Sequence, residues 1–229
     1  MFTFGCNDQG ALGREGPEKV PDLVEIEDRI DHIAAGDNHS VFGSTVGCVV
    51  YFTGNYMFQR GGNMNDPIRK PIQYTTSEIS GRNSYGTLQK LASGSNHTVA
   101  LIDGKVYVRG EPESFTTGRK ILERHQVQNS LRFEGVGLSG IVDLWCGAYH
   151  TVAKKKKGRS FEYYGWGINK HGQLSMGDYN DVEEVQKINK LRGKDIKEMA
   201  GGEKFSLFLT QDGEVYGCGA NEESQLGLG

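Results

Sequence analysis

The sequence predicts an all-β fold of small antiparallel sheets set around an axis, a β-propeller, on three observations. The first is a recurring phrase, clearest in Leu91-Ala92-Ser93-Gly94-Ser95-Asn96-His97-Thr98-Val99. It consists of an apolar residue, two small residues, a Gly, two variable residues, a His and a short β-type run. Copies lie at Ile33-Ala34-Ala35-Gly36-Asp37-Asn38-His39-Ser40-Val41 and Leu144-Trp145-Cys146-Gly147-Ala148-Tyr149-His150-Thr151-Val152, with a worn copy at Met199-Ala200-Gly201-Gly202-Glu203-Lys204-Phe205-Ser206-Leu207. The key glycines, 36, 94, 147 and 202, recur at intervals of roughly 55 residues, which marks a repeat architecture. The second observation is a return strand after each phrase, ending in an aromatic residue and Gly. In Asp103-Gly104-Lys105-Val106-Tyr107-Val108-Arg109-Gly110 and again at 212–219 an Asp-Gly pair separates two β-rich runs, a strong hairpin signal. The third is a Gly-x-Asn-x-x-Gly-x-Leu tail at 5–12 and 167–174, with Ser224 replacing the second Gly in the copy at 219–226. Units of this size cannot bury a core alone and must stack into one body. Radial stacking leaves only short, protected sheet edges.

Taken in order, residues 1–13 read as the tail of a repeat whose beginning is missing. Residues 14–31 read as a polar connection holding Pro17 and Pro21. The first full phrase and its return strand, 33–54, lead into an insertion, Asn55 to Met64, in place of the regular tail. A connection over 65–87 reaches the second phrase. The strand at 105–110 runs into an irregular excursion, about 111–140. The third phrase is followed by Lys154-Lys155-Lys156-Lys157-Gly158-Arg159 and the strand Phe161 to Gly165. The connection at 176–195 is acidic, then basic, with weak helical spacing. This pattern divides the chain into repeats at about 14–64, 65–119, 120–175 and 176–229, all in one propeller domain spanning 1–229.

Composition narrows the function classes. Of 229 residues, 33 are Gly and only 5 are Pro, and the glycines sit at repeat positions, so they serve turns and close packing. A net charge of −3 gives no overall pull toward nucleic acid. Four cysteines occur without Cys-x-x-Cys or Cys/His metal spacing, and reduced thiols of an intracellular protein are expected. No signal peptide or long apolar run is present, so no membrane partner is expected. No phosphate loop, nucleophile triad or paired-carboxylate spacing appears. The reading is therefore a non-enzyme with no cofactor and no small-molecule substrate.

The phrase with His three after Gly, together with Phe4-Gly5-Cys6-Asn7-Asp8-Gln9-Gly10-Ala11-Leu12-Gly13-Arg14 and Cys146-Gly147-Ala148-Tyr149, resembles the regulator of chromosome condensation family. The resemblance spans essentially the whole chain and implies a seven-bladed propeller, of which this chain supplies about four repeats plus part of another. It also implies a nuclear guanine-nucleotide exchange factor for a Ran-type small GTPase, with chromatin (histones, DNA) as a further partner. The alternative is a propeller scaffold without exchange activity that binds protein or chromatin.

Candidate residues follow. The histidines His39, His97 and His150 invite a metal or acid/base reading. Their one-per-repeat placement favours the structural one, each buried ring hydrogen-bonded to backbone and pinning a turn. The two residues between Gly and His form turns on one rim: Asp37-Asn38, Ser95-Asn96, Ala148-Tyr149 and Glu203-Lys204. By resemblance this rim meets the GTPase. Asp37 keeps an acidic residue of the family's exchange factor, Asn96 replaces an acidic one, and Lys204 replaces a His. The other reading is a variable polar turn.

The insertion places Tyr56, Met57, Phe58, Gln59, Arg60, Gly61, Gly62 and Asn63 where the family carries its β-wedge, the hairpin acting on the nucleotide site. The other reading is a surface loop. Arg119 is a candidate partner for a carboxylate on the GTPase, or a solvated Arg. The lysines at 154–157 with Arg159 read as a charged hairpin tip, with contact to DNA phosphates as the alternative.

Overall fold

The computed structural model describes residues 2–3, 6–16, 22–55, 68–112, 114–120 and 132–228. Among these residues, three four-stranded antiparallel sheets and one three-stranded sheet follow one another. The first holds β3 (His32–Ala35), β4 (His39–Ser44), β5 (Val49–Gly54) and β6 (Ile68–Thr75). The second holds β7 (Leu88–Ser93), β8 (His97–Ile102), β9 (Lys105–Gly110) and β10 (Glu134–Ser139). The third holds β11 (Ile141–Cys146), β12 (His150–Lys157), β13 (Ser160–Gly167) and β14 (Val182–Lys187). The last holds β15 (Ile196–Gly201), β16 (Phe205–Thr210) and β17 (Val215–Gly219). A two-stranded piece, β1 (Phe2–Thr3) with β2 (Asp22–Leu23), precedes them. The β-propeller architecture expected from the repeat is the one observed.

The repeated phrase spans the first two strands of each sheet, and its Gly-x-x turn joins them. In the register, Ala34 faces Val41, Ala92 faces Val99 and Trp145 faces Val152. The His-bearing strand of the second sheet is buried at every position, and that of the third sheet is buried through Lys154. Such strands are covered on both faces because sheets stack on both sides. They therefore read as apolar runs rather than alternating patterns. One apolar cluster joins the second, third and fourth sheets through Val99, Leu144, Tyr163, Trp166 and Phe208, and another joins the first and second through Val41, Phe52, Leu91 and Tyr107.

The segments read as connections need correction. Each of the three between full phrases contains a strand. Residues 68–75, 134–139 and 182–187 form the outermost strand of the first, second and third sheets. These edges alternate polar and apolar residues weakly, since one side faces water, and so carry little periodic signal. The stretch 65–87 also holds a short helix, α1 (Thr76–Ser80), opened by a reciprocal capping pair between Thr75 and Glu78. The 14–31 connection does more than link. Val24 is buried, and Ile26 and Ile30 pack on Phe42, Val49 and Tyr51 of the first sheet. Asp28 accepts a hydrogen bond from the Tyr51 hydroxyl at 2.5 Å.

Candidate functional site

The Gly-x-x-His turns lie on one rim and are bonded to one another. The Asp37 amide donates to the Ser95 carbonyl (3.2 Å), Ser95 to Ala148 (2.8 Å) and Ala148 to Gly202 (3.0 Å). Sequence neighbours more than fifty residues apart thereby become one strip of turns. The turn glycines are required by contact. A Cβ on Gly94 would lie 2.3 Å from the His97 ring and 2.4 Å from the Gly147 carbonyl oxygen. The third strand of each sheet returns to the same rim. The amides of Asn55, Glu111, Ile168 and Ala220 donate to the carbonyls of Asn38, Asn96, Tyr149 and Lys204 at 2.8 to 2.9 Å. Gly54, Gly167 and Gly219 end three of these strands with positive φ, and a Cβ on each would meet a rim carbonyl at 2.2 to 2.3 Å.

Beneath the rim the histidines form a relay across sheets. His39 Nε2 bonds Thr98 Oγ1 at 3.1 Å, His97 Nε2 bonds Thr151 Oγ1 at 3.0 Å, and His150 Nε2 bonds Ser206 Oγ at 2.7 Å. Each ring reaches a hydroxyl on the next sheet, and His39 also has the expected backbone partner, at His97; for His97 and His150 the hydroxyl replaces it. Ser206 spends its proton on the Gln173 carbonyl (2.8 Å), so His150 Nε2 is the donor to it. Burial pushes His39 and His97 down to about 3 and His150 to about 4, so the rings are neutral at physiological pH. Among the described residues no cluster of three or more His, Cys, Asp or Glu is placed to hold a metal ion. The Ser or Thr after each His had a sequence signal, since it recurs at 40, 98, 151 and 206 even where Phe205 replaces the His.

The candidate rim residues differ in exposure. Asp37, Glu203 and Lys204 are exposed, Asn38, Asn96 and Tyr149 are half-buried, and Ser95 is buried. Sequence reasoning missed Arg109, which seals the seam between the first two sheets. Its guanidinium carbon lies 3.9 Å from the Phe52 ring centroid, and it donates to the Tyr74 hydroxyl at 2.9 Å. Arg119 is mostly buried and ion-paired within the chain to Glu134 on β10. Tyr56 to Asn63 lie outside the described residues. Asn55, which leads into them, is anchored to Asn38 at the rim. The lysine run is not a uniform basic tip. Lys154 is buried against Asp195 (2.5 Å), and Lys157 is tied to Glu162 (2.8 Å).

Models of the regulator of chromosome condensation (RCC1) repeat match residues 1–42 and 196–225. Regulator of chromosome condensation from Xenopus laevis is 32% identical over 250 residues, covering all of this chain and 57% of that protein. The chain carries repeats of the regulator of chromosome condensation family. Guanine nucleotide exchange factor SRM1 of Saccharomyces cerevisiae is 28% identical, with all of this chain and 54% of that protein covered. The crystal structure of Prp20p from Saccharomyces cerevisiae, described with its binding properties to Gsp1p and histones, superposes with a TM-score of 0.82 at 27% identity. That match covers 96% of this chain and 52% of Prp20p. Human E3 ubiquitin-protein ligase HERC2 is 29% identical over the whole chain, with only 5% of HERC2 covered. The chain thus spans a little over half the length of the first curated relatives it matches.

Proposed function

We propose that this chain is a propeller body of a nuclear guanine-nucleotide exchange factor for a Ran-type small GTPase. The observation that carries the reading is the strip of bonded turns, which gathers Asp37, Asn38, Asn96, Tyr149 and Lys204 on one rim beside the root of the 56–63 insertion. The relatives named regulator of chromosome condensation and exchange factor support it. An exchange factor makes no bonds. It binds the nucleotide-free GTPase more tightly than the loaded one, and that difference in affinity equals the loss in nucleotide affinity. In this reading the rim supplies affinity and residues 56–63 act on the nucleotide site. Chromatin is the second proposed partner, supported by the histones named with Prp20p.

The test is release of fluorescent GDP from a Ran-type GTPase with and without the chain, paired with isolation of a nucleotide-free complex. Accelerated release supports exchange. A second reading, a scaffold without exchange activity, is favoured by the likeness to HERC2, which is named an E3 ubiquitin-protein ligase and not an exchange factor. Unchanged release at saturating chain, with no nucleotide-free complex, selects the scaffold.

A further inference from the structure

The rim opposite the Gly-x-x-His turns carries a cleft that the proposed function does not use. Strands β12 and β13 each run eight residues, whereas their counterparts in the last sheet, β16 and β17, run six and five. The β12–β13 hairpin therefore overhangs the sheet beside it. Alternation along β12 turns Lys154 and Lys156 to one face, and Phe161 pairs opposite Lys156. That face and the start of β15 border an open cleft of about 320 Å³, lined by Val142, Phe161 and the buried Ile196 and by Asp143, Lys154, Lys156, Lys197 and Gln211.

The charges of the cleft do not cancel. The carboxylate in its lining, Asp143, is engaged by Lys90 at 2.5 Å, and Asp195, next to Ile196, is engaged by Lys154 at 2.5 Å. Lys154 is further fixed by the Ile196 carbonyl (2.6 Å) and by the Phe161 ring, 3.8 Å from its Nζ. Lys156 and Lys197 are exposed and have no ion-pair partner among the described residues. The result is a slot of mixed lining, with Val142 and Phe161 as its exposed apolar surface and two uncommitted ammonium groups at its mouth.

We propose that this cleft binds an acidic peptide segment, seating an apolar side chain against Val142 and Phe161 and pairing flanking carboxylates with Lys156 and Lys197. A nucleic-acid backbone would satisfy the lysines but leave Val142 and the Phe161 ring wet. A peptide of alternating acidic and apolar character satisfies both. The site is concave and lined by strands, so the ordering cost of binding falls mainly on the peptide.

The experiment titrates the whole chain with a short fluorescein-labelled peptide carrying a central Phe among Glu and Asp residues. The expected result is saturable binding that weakens about tenfold or more in the double variant Lys156→Glu/Lys197→Glu, a change of roughly 1.4 kcal/mol or more. Both lysines are exposed, so the melting temperature is expected to hold. Replacing the central Phe of the peptide by Ser is expected to weaken binding as well. Association with nucleotide-free GTPase is expected to be unaffected, which separates this proposal from the exchange reading. No detectable peptide binding, binding indifferent to both lysines, or binding of a short DNA duplex in preference to the peptide would each overturn it.

Discussion

His97 on the second sheet and Thr151 on the third are joined by a 3.0 Å hydrogen bond although 54 residues separate them, and both are fully buried. One ring thus fastens two sheets that no backbone ladder joins. Thr151→Val keeps the volume but removes the oxygen, leaving His97 Nε2 buried without a partner. The expected loss is about 1–3 kcal/mol, read from urea unfolding, with Thr151→Ser retaining most of the stability. A loss no larger than that of an exposed control such as Thr87→Val would show that the relay does not hold the sheets together.

The relay also sets a pH dependence. The three rings titrate at about 3, 3 and 4 in the folded chain, depressed first by burial and, for His39 and His97, by a neighbouring histidine, against an ordinary 6.5. Below pH 6.5 the unfolded chain takes up protons that the folded chain refuses. Stability is therefore full above that pH and falls on acidification. At pH 5 each histidine costs about 2 kcal/mol. The urea midpoint is expected to drop between pH 7 and pH 5, before most carboxylates titrate, and to drop less in His97→Gln. A flat midpoint over this range would contradict neutral buried rings.

A local strain test uses the worn tail. Gly10 and Gly172 adopt φ of 73° and 81°, and Ser224 stands at the same place with φ 56°. The amides of Leu12, Leu174 and Leu226 donate to Asn7, Asn169 and Asn221 in the same way. Ser224→Gly relieves a left-handed residue and is expected to stabilise its turn by about 0.5–1 kcal/mol, seen as slower amide exchange at Leu226. Gly172→Ala is expected to cost about 1–2 kcal/mol at the equivalent turn.

Function is tested at the rim. Asp37→Ala is expected to weaken binding of nucleotide-free GTPase by roughly 1 kcal/mol, since the carboxylate is exposed at the strip's edge. Deleting 57–63 is expected to abolish exchange while sparing most of the affinity. Asn96→Asp is expected to speed GDP release by restoring an acidic side chain there. These are read by fluorescent GDP release and by titration of the GTPase. Exchange insensitive to the deletion would remove the wedge from the mechanism.

Much of this was legible without coordinates. A glycine recurring with a His three residues on fixes a turn, because contact geometry admits no Cβ at Gly36, Gly94 or Gly147. Apolar runs after each His fix strands, because sheets cover them on both sides. What stayed hidden were features with no local pattern. The outer strands at 68–75, 134–139 and 182–187 are half-solvated, so their hydrophobic alternation is weak.

The sequence by itself determined the repeat, its strand-turn-strand units and the set of turn residues that stand together. It did so because the same short-range sterics act in every copy. Only the tertiary structure decided the partners: that each His reaches the hydroxyl of the following sheet, that Arg119 is taken by Glu134, and that Lys154 is buried while Lys156 is not. Those outcomes depend on how one sheet is set against the next. That placement is fixed by packing between residues roughly fifty positions apart, which no local pattern encodes.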